Sequence, residues 1–158
     1  MSADLDHSVS YIVRQLLIDL GVASDGVNGE WSVFAGSMPD QPDQLIVVYE
    51  MIGVKDGRSM IDGEVFTHPA FSIQVRHPTH PGGIVKAGAI ATALDGVLRR
   101  TVTAYDLVEP TGTGTGTSSI SYLVHAISRF SDPFYIGADP RTNYHLFAFD
   151  AKLALEKS

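Results

Sequence analysis

No cysteine occurs anywhere in the 158 residues. Disulfides, thiolate metal sites and cysteine nucleophiles are therefore excluded, and nothing points to an oxidising compartment. Positive charge is scarce as well: 11 lysines and arginines stand against 18 acids, giving a formal net charge of −7. A protein that holds nucleic acid by its phosphates needs clustered cations, and only Arg99 and Arg100 are adjacent. This argues against DNA as a held ligand, although an acidic surface lets DNA slide past by like-charge repulsion. No apolar run approaches the roughly 20 residues that span a bilayer. The start, MSADLDHSVS, is too acidic and polar for a secretory signal. The expectation is a product made in the cytosol with no membrane partner.

What is present is globular. Hydrophobic residues make up 44% and charged residues 18%, a balance that supports a packed core rather than disorder. The length suits one domain over residues 1–158, which on folding hides about 70% of the unfolded surface.

Periodicity predicts a first helix from Ser8 to Leu20, with Val9, Ile12, Val13, Leu16, Leu17 and Leu20 on one face. Ser8 is placed to cap it and Gly21 to take the left-handed position beyond it. A short strand over Trp31–Phe34 precedes a rigid turn fixed by Pro39 and Pro42. Gln44–Met51 is the most strand-like stretch, and is apolar on both faces. Such a strand is either central or covered by a neighbouring subunit. Gly53–Glu64 is polar and glycine-punctuated, a projecting loop or loose hairpin. Ala70–Arg76 alternates, with Phe71, Ile73 and Val75 on a packed side and Ser72, Gln74 and Arg76 on a wet one.

A second helix is expected from Gly83 to Arg100, rich in small residues that permit close approach to a sheet. Arg99 and Arg100 are expected to complement its C-terminal dipole. Thr101–Ser119, with its Thr111–Thr117 glycine–threonine run, reads as a loop. Ile120–Ile127 reads as a strand, and Phe134–Ile136 as a segment among turns. Asn143–Leu155 reads as a last strand of roughly 40 Å, long enough to bend or to pair outside its own domain. The expected fold is α+β in the order α-β-β-β-α-β-β. Two helices cover one face of a mainly antiparallel sheet, in a two-layer sandwich.

Catalytic patterns do not assemble. His77 and His80 are spaced i, i+3 among prolines, without the helix or the intervening glutamate of a zinc hydrolase, and read as a turn with Pro81 helping to start a helix. Gly112, Gly114 and Gly116 lack the lysine of a phosphate-binding loop. There is no G-x-S-x-G elbow. Asp56, Asp62 and Glu64 fall in a loop of solvating residues. The reading is a chain that is no enzyme, with no cofactor and no metal.

Three segments resemble the tail terminator proteins of long-tailed bacteriophages, also called minor capsid or tail-to-head joining proteins. They are the turn and strand Gly36–Glu50, the strand Phe71–Arg76 leading into the helix through Leu98, and Phe134–Arg141 feeding Tyr144–Leu155. With the first helix they cover most of the chain in the right order. The resemblance implies a homohexameric ring on the last ring of the tail tube. That ring stops tube polymerisation and offers a surface to the head-completion or connector protein, while DNA passes through its centre. Its implied place is the head–tail junction of the virion, and the host cytoplasm during assembly. Within it, Gly53–Glu64 is expected to reach a neighbour or the tube, with Lys55, Asp56, Arg58, Asp62 and Glu64 supplying paired charges. The alternatives are a head-completion, neck or tail-tube subunit, and a small metal-assisted hydrolase using His77 and His80.

Overall fold

The computed structural model describes residues 7–25, 30–54, 68–106 and 119–157. Its elements are α1 (Val9–Asp19), β1 (Ser32–Ala35), β2 (Leu45–Val54), β3 (His68–His77), α2 (His80–Asp95), β4 (Leu98–Tyr105), β5 (Ser119–Arg129), β6 (Phe134–Ala138) and β7 (His145–Lys157). The strands form one sheet in the spatial order β1-β2-β3-β7-β5-β4, with β6 lying beside β7. β1 pairs with β2 in parallel, and the other pairings are antiparallel. Both helices pack on the same face, so the α+β two-layer architecture holds.

The amphipathic pattern of α1 is realised as expected: Ile12, Val13, Leu16 and Leu17 are fully buried. Gly21 takes φ +78° beyond its end. Ser8 stands at the N-cap position in extended backbone, yet its hydroxyl bonds to Ser10 Oγ at 2.8 Å and caps no helical N–H.

α2 begins at His80, where Thr79 accepts a hydrogen bond from Gly82 N–H at 3.2 Å, and ends at Asp95 rather than Arg100. Leu98–Tyr105 is instead a strand, with Arg100 opposite Val124 and Val102 opposite Tyr122. Leu94 and Leu98 fit a helical stripe, but Val102 and Ala104 continue a two-residue alternation into the core, and pairing with β5 decides in favour of the strand. Arg99 and Arg100 therefore do not serve the C-terminus of α2. Arg100 donates to the carbonyl of Asp19 at 3.3 Å, meeting the end of α1. Close approach of α2 to the sheet occurs at its first turn. A Cβ on Gly83 would lie 2.5 Å from the Phe147 ring.

β7 has 13 residues and finds all its observed partners inside the chain. One edge pairs with β3 from His145 to Lys152; the other pairs with β6 over His145–Ala148 and with β5 over Ala151–Lys157. Its inward side chains, Phe147, Phe149, Ala151, Leu153 and Leu155, form the spine of the main core. Phe134–Ile136, read as a segment among turns, belongs to the strand β6 because β7 is long enough to offer it an edge.

β2 is apolar on both sides for an internal reason. Ile46 and Val48 face the helices, while Leu45 and Val47 form a second small core with Phe34, packed by Met38 and Tyr49. The turn after β1 thus covers the outer face of the sheet at this corner. That corrects the expected wet side of β3: Arg76 is fully buried beneath the turn.

Candidate functional site

Among the described residues a densely bonded cluster grows from Arg76, near the end of β3. Its guanidinium donates to the carbonyls of Pro39 (2.8 Å), Asp40 (2.8 Å), Pro42 (2.6 Å) and Asp43 (3.3 Å), and to the Asp139 carboxylate at 3.3 Å. A planar fork of five N–H donors suits this task, which the compact ammonium of lysine would not meet. The Asp139 carboxylate also accepts from Arg141 N–H at 2.9 Å. Burial alone would raise its pKa, but the bonds from Arg141 and Arg76 and the charges of both outweigh burial and hold it below the ordinary carboxylate range. Arg141 reaches back to Asp40 at 2.9 Å and to the carbonyl of Met38 at 3.1 Å. Two surface turns, residues 36–44 and 139–144, are thereby fixed to each other at one end of the sheet.

The opposite end is built differently. There Val54 and His68 are paired, as are Tyr105 and Ser119, and Lys157 lies beside Tyr122. His7 joins this end: its backbone N–H donates to Tyr122 Oη at 3.0 Å, its Nδ1 faces the same hydroxyl at 3.1 Å, and its Nε2 faces Asp106 at 3.3 Å. The connections 55–67 and 107–118 both depart from this end. Lys55, Asp56, Arg58, Asp62 and Glu64 lie outside the described residues, as does the Thr111–Thr117 run.

An open cleft of about 580 Å³ runs beside His7, Ser10, Tyr11, Glu50 and Asp106. The hydroxyl of Ser10 bonds to Ser8 Oγ and donates to Glu50 at 3.1 Å, and both ring nitrogens of His7 face other partners. Ser8, Ser10 and Glu50 are thus tied to one another, while His7 Nε2, 3.3 Å from Asp106, makes no hydrogen bond.

The proline-flanked histidines separate. His77 stacks on Trp31 with ring centroids 5.5 Å apart and accepts from Thr79 N–H at 2.9 Å. His80 packs against Phe147, Tyr135 and His145. Among the described residues no group of three or more histidine, cysteine, aspartate or glutamate side chains could hold a metal ion.

A second surface is the open edge of β6. This strand pairs with β7 on one side, and among the described residues no strand pairs with its other side. Phe130 is 55% exposed, and Phe134, Tyr135 and Ile136 are 43% to 46% exposed. Unpaired backbone flanked by apolar side chains is a ready template for association. Sequence reading passed over this edge and over the Arg76 cluster. The signals were an arginine closing a well-alternating strand and three consecutive large apolar residues between turns.

Among the described residues no helix is long and apolar enough to cross a membrane. Residues 16–157 match a family model described as "Bacteriophage tail terminator protein". A search of curated proteins returned no match.

Proposed function

The chain belongs to the bacteriophage tail terminator family, a structural family of the virion, and from that premise we propose that it forms a homohexameric ring at the head-facing end of the tail tube. The ring stops tube polymerisation and presents a minor-capsid surface to the head-completion or connector protein. It acts without catalysis. DNA passes through its centre without being held, consistent with the net charge of −7 and the like-charge repulsion that follows. The subunit is assembled in the host cytoplasm and stays at the head–tail junction of the virion.

The observation that carries this reading is the match of residues 16–157 to the tail terminator family. A tube subunit stacks head to tail and needs ends that complement each other, whereas a terminator needs one end for the tube and another that takes the head instead of a further copy. Here one end is closed by turns pinned on Arg76 and Asp139, and from the other the chain runs on into 55–67 and 107–118. In this proposal Lys55, Asp56, Arg58, Asp62 and Glu64 supply paired charges to a neighbour or to the tube.

Disrupting the gene in the parent phage tests the role. Overlong tails are the expected result. Filled heads lacking tails would instead assign the chain to head closure, and loss of tubes altogether would make it a tube subunit.

A further inference from the structure

We propose that the cleft at the start of α1 is a socket for an arginine side chain of a partner protein. Its walls include His7, Ser10, Tyr11, Tyr49, Glu50 and Asp106, and no lysine or arginine lines it. Among the described residues neither Glu50 nor Asp106 comes within ion-pair distance of a lysine or arginine. Glu50 is exposed and is engaged on one oxygen only, where Oε1 accepts from Ser10 at 3.1 Å. The Asp106 side chain is 60% exposed. The N-terminus of α1 contributes about half a positive charge at this place, which two full carboxylates outweigh. The cleft is therefore electronegative without an internal counter-ion.

His7 supplies the second observation. Its side chain is only 4% exposed, yet Nε2 makes no hydrogen bond. Nδ1 is already engaged with the Tyr122 hydroxyl at 3.1 Å. With the ring proton on Nδ1, Nε2 and Asp106 Oδ1 are two acceptors 3.3 Å apart with no hydrogen between them. A buried acceptor without a donor is costly, and an N–H entering from the cleft satisfies both atoms.

An arginine meets these demands together. Its guanidinium carries five N–H donors in a planar fork and no acceptor, so one group can serve Nε2, Asp106 and the remaining oxygen of Glu50. Its flat faces also suit the rings of Tyr11 and Tyr49. A metal ion fits less well: among the described residues no group of side chains could hold one. Nucleic acid would meet carboxylates with phosphates. The place of the socket in assembly rests on the proposed function, whereas its affinity for a guanidinium does not.

Titration of the full chain with N-acetyl-arginine methylamide, followed by NMR at pH 8, tests the socket. Saturable shifts centred on His7, Ser10, Glu50 and Asp106 are expected. The citrulline analogue, of the same shape without the charge, is expected to bind at least about tenfold more weakly, because its hydrogen bonds lose their charge. Glu50→Gln combined with Asp106→Asn is expected to weaken the arginine probe by a similar factor and to leave Tm unchanged or raised. Equal response to both probes, shifts centred elsewhere, or a double variant that binds as the parent does overturns the proposal. A lowered Tm in the double variant also overturns it, by showing the acids paired within the chain. In the parent phage the double variant is expected to lower the yield of complete particles severalfold. A normal yield there, with probe binding intact in the parent protein, overturns the assignment to a protein partner and leaves a small free cation as the occupant.

Discussion

Arg76 and Asp139, 63 residues apart in the chain, meet at 3.3 Å in the interior and between them fix both turns at one end of the sheet. The three segments that resemble terminator proteins converge on this contact: Gly36–Glu50 supplies the carbonyls, Phe71–Arg76 the guanidinium, and Phe134–Arg141 the carboxylate. The shape of that end of the protomer is therefore a property of one buried cation and its acceptors.

Replacing Arg76 with leucine takes from the buried Asp139 its one buried charge partner, leaving only the half-exposed Arg141, and releases four carbonyls. Removing one member of a buried ion pair costs about 3–5 kcal/mol, and a loss of that order is expected in chemical denaturation. Arg76→Lys is expected to recover a minor part, because an ammonium cannot span both turns. Stability within about 0.5 kcal/mol of the parent, the range of ordinary surface changes, would show that the cluster is not structural.

Acid should erode the same contact. Asp139 has a folded pKa below its unfolded value of about 3.9. Its contribution is thus complete above that value and is lost as pH falls through the folded pKa. The stability gap between the parent and Asp139→Asn is expected to be constant from pH 7 to about 5 and to narrow from about pH 4 downward. Denaturation curves at a series of pH values check this, and a gap that stays constant down to pH 3 would count against it.

Gly83 offers a test in which helix propensity and packing oppose each other. Alanine is favoured over glycine in a helix by about 1 kcal/mol. Here, however, the added Cβ meets the buried Phe147 ring at 2.5 Å. Gly83→Ala is expected to destabilise by about 1–3 kcal/mol, and Phe147→Leu in the same chain to remove most of that difference. Thermal melts of the single and double variants measure it.

Charge reversal at Asp56 or Arg58 is expected to reduce the yield of joined particles without lowering the melting temperature of the isolated subunit. Counting joined and unjoined particles by electron microscopy decides it. Unchanged yields for both reversals would remove these residues from the assembly surface.

The parts of the fold legible in the sequence were those set by local periodicity. The stripe of α1 and the alternations Phe71–Ile73–Val75 and Phe147–Phe149–Ala151 each report a single buried face, and the structure buries them so. The parts that were not legible depend on distant neighbours. Val97–Leu98 extends a helical stripe and also begins a strand, and β5 decides between them. Arg76 sits in an outward register yet is buried, because a turn more than 30 residues earlier folds over it. β6 is a strand because β7 has an edge to spare. Of the candidate surfaces, the charged segment was visible as composition, whereas the open edge of β6 exists only once β6 is laid beside β7.

Imaging the assembled virion at a resolution that separates subunits tests the central claim most directly. One ring of six copies at the head-proximal end of the tail tube, its two unlike ends turned to tube and head, is the predicted result. Copies repeated along the tube, or a location away from the head–tail junction, would contradict it.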